Sequence, residues 1–385
     1  MKEFRITAGF LPLLDSLLLV IAREKGLAIA QGIDLALVRE TSWANIRDRV
    51  AVGHFDVAHM LGPMPIAANL GLWPIAVPVV APMALGLGGN AVTVSVKLWQ
   101  GMLDAGVPAG IEPGPAGAAL RKVVAESGRR LRFGVVHPHS GHNYELRYWL
   151  ASSGTVPGRD VDIVILPPPL MADALLNGTI DGYCVGEPWN SAGVANGAGR
   201  IVTVKQKIWA GSPDKVLGAS ETWADHNPEA LAALLRALYA ASLWCADPAN
   251  HAEAAAILGG PAYLDCPSDL LQRGLSGRLE LIRGEVARVP GFYEPHAQSA
   301  TFPWTTHALW FYSQMVRWGD IAHTPDNARR ALASYRPDLY RASVAAAGAA
   351  LPVSDAKVLG PDVFFDAVVF DPVQLDNYIS AQSVC

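Results

Sequence analysis

Cysteine is scarce in this 385-residue chain: Cys184, Cys245, Cys266 and Cys385 are the only four, and no two lie close together. That spacing excludes zinc ribbons and CxxC redox motifs, and it fits a reducing compartment. Charge is thin as well. Lys, Arg, Asp and Glu make up 17% of the residues and sum to −5. No basic stripe stands out of the kind that grips a duplex, so direct nucleic-acid binding is not expected. No apolar run reaches the roughly 20 residues that a membrane-spanning helix needs. Several enzyme motifs are missing too: there is no GxxxxGK[ST] loop, no GxSxG elbow and no HExxH helix. Gly86-Leu87-Gly88-Gly89 is glycine-rich, but it precedes a strand, whereas a dinucleotide-binding turn follows one.

What the chain does have is apolar mass. Hydrophobic residues form 51% of it, enough for a large core, and the length suits two lobes. Disorder would need the opposite balance. The N-terminus imitates a signal peptide, with Lys2 and Arg5 ahead of an apolar stretch from Leu11 to Ala22. Asp15 interrupts that stretch, and Arg23, Glu24 and Lys25 separate it from the small residues Ala28-Ile29-Ala30. The region reads better as strand and helix, with the mature chain starting at Met1 inside the cell.

Strands and helices alternate through the first half. Ile6–Gly9, Asp34–Val38 and Val57–His59 read as strands, with helices over Asp15–Lys25 and from Trp43 to about Val52, the latter capped by Ser42. A second block follows: strands Ala91–Ser95, Arg132–Val136, Val161–Leu166, Asp181–Val185 and Ile201–Val204, helices Ala118–Ser127, Gly141–Ser152 and Leu170–Asn177. Residues Gly106–Gly117 read as a Gly- and Pro-rich loop. From Asn227 onward the pattern is helical through Arg317, and Gly360–Phe370 is extended or loop-like. The expected organisation is one α/β lobe over residues 1–92, a second over 93–214, and a helical remainder over 215–385 that returns to the first lobe. Such lobes place a ligand cleft at the C-terminal ends of their strands.

Several residues are candidates for that cleft. His137, His139 and His142 form HxHxxH, which fits a metal cluster or a loop entering a helix with one histidine facing a cleft. His142 at a helix start also suits an anion, because the first turn carries free N–H groups. Trp43 fits either the core or a planar ligand that needs an indole N–H. Gly186, in Cys184-Val185-Gly186-Glu187-Pro188-Trp189, permits close backbone approach or a tight strand-to-helix turn. Lys215 alone reads as a solvated surface charge.

Longer motifs join these residues. Trp43-Ala44-Asn45-Ile46-Arg47-Asp48, Ala58-His59-Met60-Leu61-Gly62-Pro63-Met64-Pro65, Arg147-Tyr148-Trp149-Leu150 and Asp181-Gly182-Tyr183-Cys184-Val185-Gly186-Glu187-Pro188-Trp189-Asn190 resemble signatures of the nitrate- and bicarbonate-binding proteins of bacterial ABC transporters. The resemblance runs from Ile6 to about Asp320. It implies a two-lobed, type II periplasmic-binding-protein clamp; no catalysis is expected, since no nucleophile or histidine–cysteine pairing emerges, and no cofactor or metal is expected. It also implies a nitrate site made of Trp43, Asn90, His142, Gly186 and Lys215. Asn90 stands where the family pattern has a glutamine, and so reaches less far. Lys215 stands where bicarbonate binders of the family carry an acidic residue.

Nitrate is planar and cannot donate hydrogen bonds, so its site should hold donors and positive charge with no carboxylate pointing in. With the strand beginning so near Met1, the chain most resembles the cytoplasmic nitrate/nitrite sensor of assimilatory nitrate reductase operons. That resemblance implies an RNA-binding antiterminator of the ANTAR type as partner, released when the anion binds. The rivals are the binding subunit of a nitrate or bicarbonate importer, and an enzyme on the same clamp fold.

Overall fold

The computed structural model describes residues 3–382; residues 1–2 and 383–385, Cys385 among them, lie outside that range. The first sheet runs in the order Ile33–Arg39, Phe4–Phe10, Val57–Leu61, Lys215–Ser220, Val79–Ala84. Its first three strands are parallel, and Lys215–Ser220 is antiparallel to both of its neighbours. Val57–Leu61 is buried at every position, as expected of a strand with both sheet faces covered. Ser42 starts its helix as read from sequence, and Ser140 does the same for Gly141–Ser152: each side chain accepts a hydrogen bond from the backbone N–H three residues on, Asn45 and Asn143 respectively.

The second sheet has the order Gly199–Val204, Asn90–Ser95, Gly182–Gly186, Leu131–Val135, Val161–Ile165. Here Asn90–Ser95 is the antiparallel strand. The two sheets are thus built alike. The chain crosses from the first lobe to the second before Asn90 and returns before Lys215, and each crossing feeds an antiparallel strand into its new sheet.

Three expectations are corrected. Residues 106–117 are not all loop, because a helix spans Pro113–Glu126 with proline in its first turn. Gly117 lies inside it because a Cβ there would sit 1.9 Å from Ser153 Oγ. Lys215 opens a strand of the first sheet, not the helical remainder. The helices up to Arg317 are interrupted by a hairpin, Arg278–Ile282 with Glu285–Arg288. There Leu279 and Leu281 alternate inward, and Gly284 makes the turn at φ 85°.

The helical remainder covers both lobes. Pro228–Ala246 packs on Leu17–Glu24 and on Pro337–Val344. By length and composition this helix is apolar enough to cross a membrane, contrary to the expectation that no run would be, yet 61% of it is buried in the protein. Helix Thr305–Arg317 packs on Pro63–Asn69 of the first lobe and on Gly141–Ser152 of the second. Trp310 of this helix stacks on Phe364, and Trp209 packs against both at a tilt, with the two indoles 4.3 Å apart between centroids. Tyr148 donates to Asp366 (2.7 Å) and Tyr144 to Asp320 (2.7 Å), which tie the second lobe to the C-terminal segments.

Candidate functional site

The two crossings define the site. Asn90 and Lys215 are each the first residue of a crossing strand, and both are buried. Asn90 pairs with Gly186 across the second sheet. A Cβ on Gly186 would lie 3.2 Å from Asn90 Oδ1 and 3.4 Å from Asp15 Oδ2. Asp15 Oδ2 accepts from Lys215 Nζ at 2.8 Å, and Lys215 Nζ lies 5.5 Å from the Trp43 ring centroid. Lys215 also bonds Asp214, whose Oδ2 is 3.6 Å from His142 Nε2. Trp43, Asn90, His142, Gly186 and Lys215 therefore lie along one continuous chain of contacts between the lobes.

Ionisable groups that sequence reading missed complete this cluster. His59 Nε2 lies 2.8 Å from Asp15 Oδ1, and the His59 ring is 5.3 Å from Trp43. Lys205 Nζ lies 2.9 Å from Glu145 Oε1 and 3.5 Å from Asp214 Oδ1, and it donates to the Pro213 carbonyl at 2.7 Å. The expectation that no carboxylate points into the site is overturned, since Asp15 and Asp214 both face Lys215. A lysine buried this deeply would lose its charge without counterions.

Burial acts on every group here, and neighbours decide the outcome. It pulls the Lys215 ammonium down, but Asp15 and Asp214 outweigh it and hold the group above its ordinary value. It pushes Asp15 and Asp214 up, but the lysines outweigh it and keep both carboxyls below the usual range. Glu145 is different: burial prevails over Lys205 and pushes it up to about 8. Burial likewise takes His142 down to about 3 in spite of Asp214, and lowers His59 in spite of Asp15.

Some donors stand ready. The Trp43 indole N–H, both side-chain atoms of Asn90 and both ring nitrogens of His142 are buried and have no hydrogen-bond partner among the described residues. Such groups are costly unless something meets them. The three histidines of HxHxxH do not share a centre. His137 Nδ1 accepts from the His139 N–H at 3.0 Å, and His139 Nδ1 contacts Tyr144 Oη at 3.1 Å. No group of three His, Cys, Asp or Glu among the described residues could hold a metal ion.

Two lobes, two crossings and a buried inter-lobe site define a mixed α/β clamp of the periplasmic-binding-protein type. The fold matches the crystal structure of the periplasmic nitrate-binding protein NrtA from Synechocystis PCC 6803, with a TM-score of 0.91 and 26% identity over 99% of both chains. The NMT1-like family model matches residues 2–259, and the chain belongs to that family. It is 32% identical to the nitrate/nitrite binding protein NrtA of Synechococcus elongatus, over 97% of this chain and 85% of that one. It is also 37% identical to the bicarbonate transport ATP-binding protein CmpC of Synechocystis, over 83% of this chain but only 47% of that protein. The likeness to nitrate- and bicarbonate-binding proteins read from the motifs therefore holds.

Proposed function

We propose that this chain binds nitrate or nitrite between its lobes and closes over it, without turning it over. The observation that carries this reading is the set of unpartnered buried donors, Trp43 Nε1, the Asn90 amide and His142, around a charged Lys215. A planar oxyanion that only accepts hydrogen bonds matches that set. The nitrate-binding relatives support it. Calorimetric titration with nitrate, nitrite, bicarbonate and sulfate tests it, with tight binding of nitrate or nitrite expected and an absence of heat from both contradicting it.

Bicarbonate is the second reading, favoured by one observation. Asp214 Oδ1 lacks a hydrogen-bond partner among the described residues, and a carboxylate can accept from a bicarbonate hydroxyl. In the same titration, bicarbonate binding tighter than nitrate would decide for it.

Two outputs fit a clamp that closes. The motif resemblance supports a cytoplasmic sensor that holds an ANTAR-type antiterminator and lets it go on binding the anion. The transport relatives support the substrate-binding subunit of a nitrate importer. Either output requires the anion to bind one lobe arrangement better than the other. Co-purification of the antiterminator that nitrate abolishes would establish the sensor. Recovery of the protein outside the cytoplasmic membrane would establish the transport subunit.

A further inference from the structure

We propose that Asp15 and Asp214 set the specificity of this site by cancelling its lysine charge, so that a monoanion is bound together with one proton taken from water onto His142. The inference rests on the anion-binding reading above and deepens it.

Lys205 and Lys215 supply the two ammonium groups of the cluster, and Asp15, Asp214 and Glu145 face them at the contacts given above. All five side chains are buried. With Glu145 protonated, as its upward shift to about 8 implies at neutral pH, the cluster sums to zero. With Glu145 ionised it is negative. Neither state has positive charge to spare. A permanent anion placed here would leave an uncompensated charge away from water, which burial penalises heavily. A site built on a free Lys215 would not meet this problem; this one does, because both acids are already on that lysine.

A proton resolves it, and the geometry says where it goes. Two histidines line the site. His59 already uses both ring nitrogens as a neutral imidazole: Nδ1 accepts from the Leu11 N–H at 3.4 Å, and Nε2 lies against Asp15. Neither nitrogen of His142 has a hydrogen-bond partner among the described residues. The charged groups around His142 are Asp214 and Lys215 from the return crossing, Lys205 from the helix before it, and Asp15 from the first lobe. Glu145 lies one turn along its own helix, and the buried Cys184 thiol lies on the neighbouring strand. Their charges cancel, so burial dominates and keeps the ring neutral. An arriving anion breaks the balance in favour of imidazolium, which then donates to it. A dianion would need two protons, and of the two histidines lining the site only His142 has a ring nitrogen left to take one, since His59 Nδ1 accepts from Leu11 and its Nε2 faces Asp15, so sulfate is refused.

The linkage has a fixed sign. His142 alone takes its proton only near pH 3, and in the complex it takes it at higher pH. Affinity therefore rises as pH falls between those two values, by about tenfold per unit in the middle of the window. The test is calorimetry of nitrate binding at pH 6.5 in two buffers of unlike protonation enthalpy, repeated from pH 8 to pH 6. Close to one proton taken up per nitrate, tighter binding at lower pH and no heat from sulfate are expected. Asp15→Asn and Asp214→Asn each leave one positive charge uncancelled, so in whichever variant folds, proton uptake should vanish and the pH dependence flatten. Nitrate binding with no proton uptake and a constant affinity would overturn the proposal while leaving the anion-binding reading intact. No binding of nitrate or nitrite at any pH would overturn both.

Discussion

Lys215 and Asn90 occupy equivalent places on opposite walls of the cleft. Each is the first residue after a crossing, each begins an antiparallel strand, and each is buried. Their chemistry differs. Lys215 is held by Asp15 and Asp214, whereas neither side-chain atom of Asn90 has a partner among the described residues. The lysine on the first lobe's wall is satisfied by acids, and the amide on the second lobe's wall is kept in reserve. Fold stability therefore depends on Lys215, and ligand capture depends on Asn90.

The sharpest way to break this contrast is to substitute both. Lys215→Met leaves two buried carboxylates facing each other, and we expect a loss of about 3–5 kcal/mol in denaturant unfolding, together with loss of anion binding. Asn90→Leu should do the reverse. Unfolding should be unchanged or slightly harder, while anion affinity falls by roughly 10- to 150-fold in calorimetry, the worth of a hydrogen bond to a charged group.

A pH series sharpens the contrast further. Glu145 is pushed up to about 8 from an ordinary value of 4.5, so between those values the folded protein holds a proton that the unfolded chain has lost. Its contribution to stability is fully present below about pH 4.5 and is lost as pH rises toward 8. His142 has the opposite sign. Its depression to about 3 costs stability as pH falls below 6.5. Glu145→Gln should flatten the alkaline decline in thermal unfolding and leave the acid limb in place. The smallest effect is expected from Gly186→Ala. Its Cβ meets Asn90 Oδ1 at 3.2 Å, which should weaken anion binding by about 1 kcal/mol with little change in unfolding.

Much of this architecture was legible in the sequence. The alternating pattern announced the second sheet's five strands and three of the first sheet's five, and the helix Gly141–Ser152 falls where it was read. The residues proposed for the anion site, by likeness to the family, are brought together by the fold. What stayed hidden was long-range. Lys215 reads as a surface lysine because nothing nearby in sequence shows that its strand inserts between Val57–Leu61 and Val79–Ala84. Asp15 did leave a trace, as the one charge in the apolar stretch Leu11–Ala22. Its partners are 44 and 200 residues away, His59 and Lys215, so the trace pointed to a break in hydrophobicity and not to a counterion. The pairing of both acids with Lys215 arises from the tertiary fold, and only the fold reveals it.

The most direct test of the account is a crystal structure of the protein grown with nitrate. The account predicts one anion between the lobes, within hydrogen-bonding distance of the Asn90 amide, the Trp43 indole and His142, with Asp15 and Asp214 still on Lys215. Nitrate found elsewhere, or bound with Asn90 and His142 turned away from it, would contradict it.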